Sequence, residues 1–163
     1  MAYTLSIGEK APDFDLVGTD VDYYSLDSFQ EYENLIIFFT CNHCPYVTGS
    51  DEVTRATVEK FKGPRFKFVA INSNSKNTYE EDSFENMVKR IDDLKFPWLY
   101  LYDETQKVAM DYGALKTEGD VSIITLDDGK ANVFSYPMLE TLQKILSEIP
   151  KDKAREICSR LFF

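Results

Sequence analysis

Basic residues, histidine, cysteine and long apolar runs are all scarce in this chain of 163 residues, and each scarcity removes a class of protein. Eighteen Lys and Arg against 28 Asp and Glu leave a net charge of −10, which opposes binding to nucleic acid or to an anionic membrane surface. No apolar run approaches the roughly 18 to 20 residues needed to cross a bilayer. The opening stretch from Met1 to Glu9 has neither the basic start nor the apolar core of a signal peptide, so a cytoplasmic, reducing setting is expected. Three cysteines are too few for a disulfide scaffold, and an odd number leaves at least one unpaired within the chain. With no internal repeat, low-complexity tract or linker, residues 1–163 are expected to form one domain.

Apolar residues are abundant, 44% of the chain with 14% aromatic, which suffices for a substantial core. Residues 11–17 and 21–26 read as two short strands about a polar turn, an N-terminal hairpin. The continuous run Leu35 to Phe39 suits a central strand, and Phe66 to Asn72 and Trp98 to Tyr102 suit two more. Between them, Pro45 to Lys62 reads as a helix stopped by Gly63-Pro64. Phe84, Met87, Val88, Ile91 and Leu94 mark an amphipathic helix behind a Thr78/Glu81 capping box. Thr105 to Tyr112 is a short helix closed by Gly113, Val121 to Leu126 and Ala131 to Phe134 a β-hairpin, and two helices follow, from Pro137 and around Cys158. Strands alternating with helices predict an α/β fold, a mixed sheet with helices on both faces.

The chemistry concentrates in Cys41-Asn42-His43-Cys44, between the first long strand and the helix that opens with Pro45. A strand end feeding a helix N-terminus offers free backbone N–H groups and the positive end of the helix dipole, which should lower the Cys41 pKa. His43, the single histidine, lies between the two sulfurs and would stabilise a thiolate further. A pair more oxidising than one with proline in place of His43 is therefore predicted. Cys41 would attack a substrate disulfide and Cys44 would resolve the mixed disulfide. Inert core cysteines fit poorly in a polar loop, and zinc would want four ligands from three cysteines and one histidine, with His43 badly placed to join both neighbours. No metal ligand and no cofactor is assigned.

Five stretches together, Ile7 to Phe14, Phe38 to Val47, Val69 to Asn74, Glu81 to Met87 and Leu101 to Gln106, resemble the cytoplasmic thioredoxin-like redoxins of bacteria. These belong to the alkyl hydroperoxide reductase/thiol-specific antioxidant branch, and the resemblance spans about residues 5 to 113. It implies a thioredoxin-like fold with Cys41 and Cys44 as its redox centre and His43 beside them. Thr40, Asn42 and Pro45 would support the pair or contact substrate. The family places a cis proline against its sulfurs. Here that position falls on Glu118 or, with a three-residue insertion, on Val121, so a trans peptide and an altered substrate groove are expected. Glu118 and Asp120 are read as a solvated turn, Trp98 and Cys158 as core, and the polar run Asn72 to Asn77 as solvated loop.

The implied activity is thiol-disulfide oxidoreduction, with a disulfide-containing protein or small molecule as substrate and a cellular thiol as reductant. A peroxiredoxin-like peroxidase is the alternative, since Cys44-Pro45 has the local order of a peroxidatic cysteine. A non-catalytic binding module on the same scaffold is the third possibility.

Overall fold

The chain enters its sheet through a hairpin of β1 (Leu16–Gly18) and β2 (Tyr23–Tyr24), where Leu16 pairs with Tyr24 and Val17 with Tyr23. A Cβ at Gly18 would come within 2.5 Å of Asp20 Oδ1 and 2.9 Å of the Tyr24 ring, so a side chain there would have to displace both. In this computed structural model the described residues are 5, 9–74, 77, 79–114, 116–118 and 121–123, the last two segments by backbone alone.

Strands and helices then alternate as expected: β3 (Asn34–Thr40), α1 (Pro45–Phe61), β4 (Phe66–Asn72), α2 (Phe84–Leu94), β5 (Leu99–Tyr102) and α3 (Lys107–Asp111). β3, β4 and β5 are parallel and β1 joins β5 antiparallel, giving the order β2-β1-β5-β4-β3. Among the described strands β3 therefore ends the order, with β4 beside it. Thr40 pairs with Asn72 and Asn72 with Tyr102, so the three parallel strands finish level and their following loops leave the sheet side by side. Sites in open α/β sheets collect at this edge.

The two-residue period of the strands divides the core. Ile36, Phe38, Phe66, Phe68, Ala70, Tyr100 and Tyr102 point to the face covered by Val58 of α1 and Met87 of α2. Trp98 is core, as expected, edge-on to Phe38 and stacked on Phe96. Phe39, Val69, Ile71 and Leu101 point the other way, against Phe14, Phe29 and the Val108, Ala109 and Tyr112 cluster at α3. Complete burial of a residue such as Leu101 contributes about 1.5–3 kcal/mol.

Helix ends differ from expectation in two places. The N-cap of α2 is Ser83, whose hydroxyl accepts from Asn86 N, and not a Thr78/Glu81 box. Glu81 belongs instead to a 3-10 turn, Glu80–Asp82, that swings its last residue inward. α3 is shorter than 105–112 at both ends, and Gly113 follows at φ 68, the left-handed stop that glycine supplies cheaply. Arg55 of α1 donates to the carbonyls of Leu94 and Lys95, tying α1 to the end of α2.

Val121–Ile123 is a strand (β7), and among the described residues it pairs with Lys116–Glu118 (β6). Glu118 is thus strand rather than turn. Residues 131–134, the helices from Pro137 and around Cys158, and Asp120 lie outside the described residues. Among the described residues no helix is long and apolar enough to cross a membrane, and no peptide bond is cis.

Candidate active site

Cys41 is the first residue after β3, and Cys44 is the N-cap of α1, with Pro45 at the first helical position where a missing N–H costs nothing. Both thiols are free. Cys41 is 8% exposed, whereas Cys44 is half-buried. Burial pushes the Cys41 thiol up from 9.0 to about 12, and the nearby charges of Asp82 and Cys44 add to it. Backbone N–H groups of Cys44 and His43 donate to the Cys41 sulfur and pull in the expected direction, but desolvation outweighs them. The expected low Cys41 pKa is therefore corrected. The reason is depth: the junction does aim donors at the sulfur, but it also removes water. Desolvation thus works against the thiolate stabilisation on which the expectation of an oxidising pair rested.

The loop between the sulfurs is held by a residue that motif reasoning passed over. Asp82, fully buried, accepts from Asn42 N at 2.6 Å and Asn72 Nδ2 at 3.2 Å on one oxygen, and from Asn74 Nδ2 at 3.1 Å on the other. That second oxygen also meets His43 Nδ1 at 2.5 Å. The His43 ring stacks on Tyr79, centroids 3.8 Å apart and planes within 13°. Asn42 is fastened three ways: its N–H to Asp82, its amide to the Glu81 carbonyl at 2.8 Å, and its Oδ1 to the Tyr100 hydroxyl at 3.0 Å. Burial holds that Tyr100 hydroxyl well above its ordinary range, so it stays a donor.

Cys41, Asn42 and His43 are thus brought onto one buried carboxylate, with Cys44 and Pro45 opening the helix beside them and Thr40 paired to Asn72 below. Glu118 and Val121 face each other in the β6–β7 ladder, and the placement of their side chains relative to the sulfurs lies outside the described residues. The polar run after β4 is not simply solvated, since Asn72 is fully buried and both Asn72 and Asn74 serve Asp82. Asp82, Asn72, Asn74, Tyr79 and Tyr100 were all missed from sequence. The available signal was two asparagines at a strand end level with the cysteine loop.

One ring nitrogen of His43, one oxygen of Asp82 and the Cys41 sulfur lie within 4.8 Å of one another, a donor set suited in kind to zinc. The hydrogen bonds argue against that use. Each Asp82 oxygen already takes two donors, and a metal on the set would have to displace His43 Nδ1 from the carboxylate.

Comparison with known proteins agrees with this architecture. The AhpC/TSA family matches residues 7–139. An uncharacterized conserved protein from Geobacillus kaustophilus is 34% identical over 87% of this chain and 80% of its own, with a TM-score of 0.71. A hypothetical protein from Sinorhizobium meliloti 1021 is 28% identical over 69% of this chain, which spans 62% of that protein's length, with a TM-score of 0.65. A thiol peroxidase from Chromobacterium violaceum, 16% identical over 91% of this chain and 90% of its own with a TM-score of 0.66, shares the fold. No curated protein matches. The fold is thioredoxin-like, as the sequence resemblance implied, and the chain belongs to the AhpC/TSA family.

Proposed function

We propose that the protein is a thiol-disulfide oxidoreductase whose Cys41–Cys44 dithiol reduces a disulfide in a protein or small molecule. The observation that carries this is the pair of free thiols at the β3–α1 junction, with the N–H groups of His43 and Cys44 aimed at the Cys41 sulfur. Cys41 attacks one substrate sulfur, the substrate disulfide breaks and a mixed disulfide forms. Cys44 then attacks Cys41 and releases the second substrate thiol, leaving a Cys41–Cys44 disulfide. Two electrons and two protons pass to the substrate, and a cellular thiol restores the dithiol. The reading places the protein in a reducing, cytoplasmic setting.

A second reading is supported by the half-buried Cys44, more open than Cys41 and standing at the N-cap before Pro45. There Cys44 reacts first, with a hydroperoxide, and Cys41 resolves the sulfenic acid.

Disulfide reduction and peroxide consumption by the wild type, Cys41→Ser and Cys44→Ser separate the two. Exchange is expected to vanish in Cys41→Ser, while Cys44→Ser traps a mixed disulfide on Cys41. Full exchange activity in Cys41→Ser overturns the assignment of attacker. Rapid peroxide consumption that needs only Cys44 establishes the second reading, and inertness in both assays leaves a binding module.

A further inference from the structure

The Cys41 thiol is a poor nucleophile as it stands, because the pocket that surrounds it holds its proton in place. Exchange at neutral pH then needs a base within reach, and the structure offers one arrangement. Among the described residues the four hydrogen-bond contacts to the Asp82 carboxyl come from nitrogens, three of them necessarily donors: the Asn42 N–H and the amides of Asn72 and Asn74. The fourth partner is His43 Nδ1, and with the shared proton on the ring Nδ1 donates to Asp82. In neutral imidazole the other ring nitrogen is then the bare acceptor. Tyr79, stacked on the ring, fixes its plane.

We propose that Asp82 is a positioning residue which holds His43 as the proton carrier for Cys41. This rests on the exchange activity proposed above and names how its buried thiol is activated. Cys41 S–H gives its proton to the bare nitrogen of His43 while its electron pair forms the bond to a substrate sulfur. The substrate S–S bond breaks, and the departing thiolate takes the proton from the imidazolium. Asp82 keeps the ring in the accepting tautomer and faces the imidazolium that forms with a full negative charge, as carboxylates behind imidazoles do in nucleophilic enzymes. One ring nitrogen of His43 lies within 4.8 Å of the Cys41 sulfur and of Asp82, and a proton passes only once that span closes as substrate seats. Among the described residues the other titratable groups around this loop are Cys44 on its own turn, Tyr79 above the ring, Glu81, whose carbonyl takes the Asn42 amide, and Tyr100 beneath Asn42, with the Asp51–Arg90 pair of α1 and α2 beyond.

The test is the pH profile of a single turnover of reduced protein with oxidised glutathione, for the wild type, Asp82→Asn and His43→Gln. Removing a general base typically costs 10²–10⁴ in rate, so both variants are expected to be about 100-fold slower at pH 7. The deficit should close towards pH 10, where hydroxide takes the thiol proton. A purely structural role for Asp82 would slow the reaction equally at every pH. Because Asp82→Asn also touches three asparagines, His43→Gln serves as the variant that leaves the carboxylate intact, and thermal unfolding establishes that each is folded. Variant profiles parallel to the wild type overturn the proton-carrier role while leaving exchange itself standing. No exchange by the wild type at any pH overturns the underlying activity instead. Stoichiometric binding of zinc ion alone to the reduced wild type, lost in Asp82→Asn, would make the cluster a metal site and also overturn the proposal.

Discussion

Replacing Cys41 with serine should make the reduced protein more resistant to alkali, in an amount that follows from the burial of the thiol. The Cys41 pKa rises from 9.0 to about 12 on folding, with desolvation as the main cause. The unfolded chain therefore gives up this proton more readily than the folded one, and the preference for the folded state is complete below pH 9 and drains away from there to pH 12. Each pH unit in that window removes about 1.4 kcal/mol, which amounts to roughly 3 kcal/mol between pH 8 and 11. Serine has the same shape without the ionisation, so Cys41→Ser should lose less stability over this range by that amount. Tyr24, Tyr32, Tyr100 and Tyr102 also have raised pKa values and weaken both proteins in alkali, but the difference between the two cancels them. Guanidinium unfolding of both proteins under reducing conditions at pH 8, 9, 10 and 11 measures the effect. Parallel loss of stability in the two would refute the claim that the fold shields this sulfur.

The same shielding shapes the redox couple. Because Cys41 keeps its proton up to about pH 12, its contribution of about 30 mV per pH unit to the Cys41–Cys44 potential should persist to at least pH 10.5. Equilibration against a dithiol buffer from pH 7 to 10.5 checks this, and a potential that stops falling near pH 9 would contradict it. Asn42→Ala should cost about 1–3 kcal/mol in urea unfolding, since it leaves the Tyr100 hydroxyl and the Glu81 carbonyl without their partner. An unchanged midpoint would mean that the loop is held by its backbone alone.

The scaffold was readable in the sequence because its signals are local. Leu35 to Phe39 and Phe66 to Asn72 carry dense apolar runs, Pro45 and Gly63 bracket α1, and the Met87/Ile91 spacing marks α2. The two cysteines and His43 announced themselves by spacing. Asp82 did not, because the acidic run Glu80-Glu81-Asp82 before Ser83 looks like charge decorating a helix start, and nothing in such a run says which carboxylate turns inward. Its partners Asn42 and His43 stand 40 and 39 residues away. The Cys41 pKa was misjudged for a related reason: helix N-termini advertise themselves through proline and position, whereas desolvation depends on what the distant strands cover. The capping error at α2 has a local cause, since Thr78/Glu81 and Ser83 offer competing caps within six residues and the 3-10 turn selects the later one.

The level ending of β3, β4 and β5 has a consequence for how the protein comes into being. Asp82 and Tyr100, which hold the loop between the two sulfurs, arrive from the segment after β4 and from β5, so no early helix or hairpin can assemble the centre by itself. Contacts this far apart in sequence are slow to form, because chain closure must precede their reward. During refolding, a cysteine-directed alkylating reagent should consequently find Cys41 acidic and open until the last parallel strand docks. The acidity of a single sulfur thus becomes a clock for the completion of the sheet.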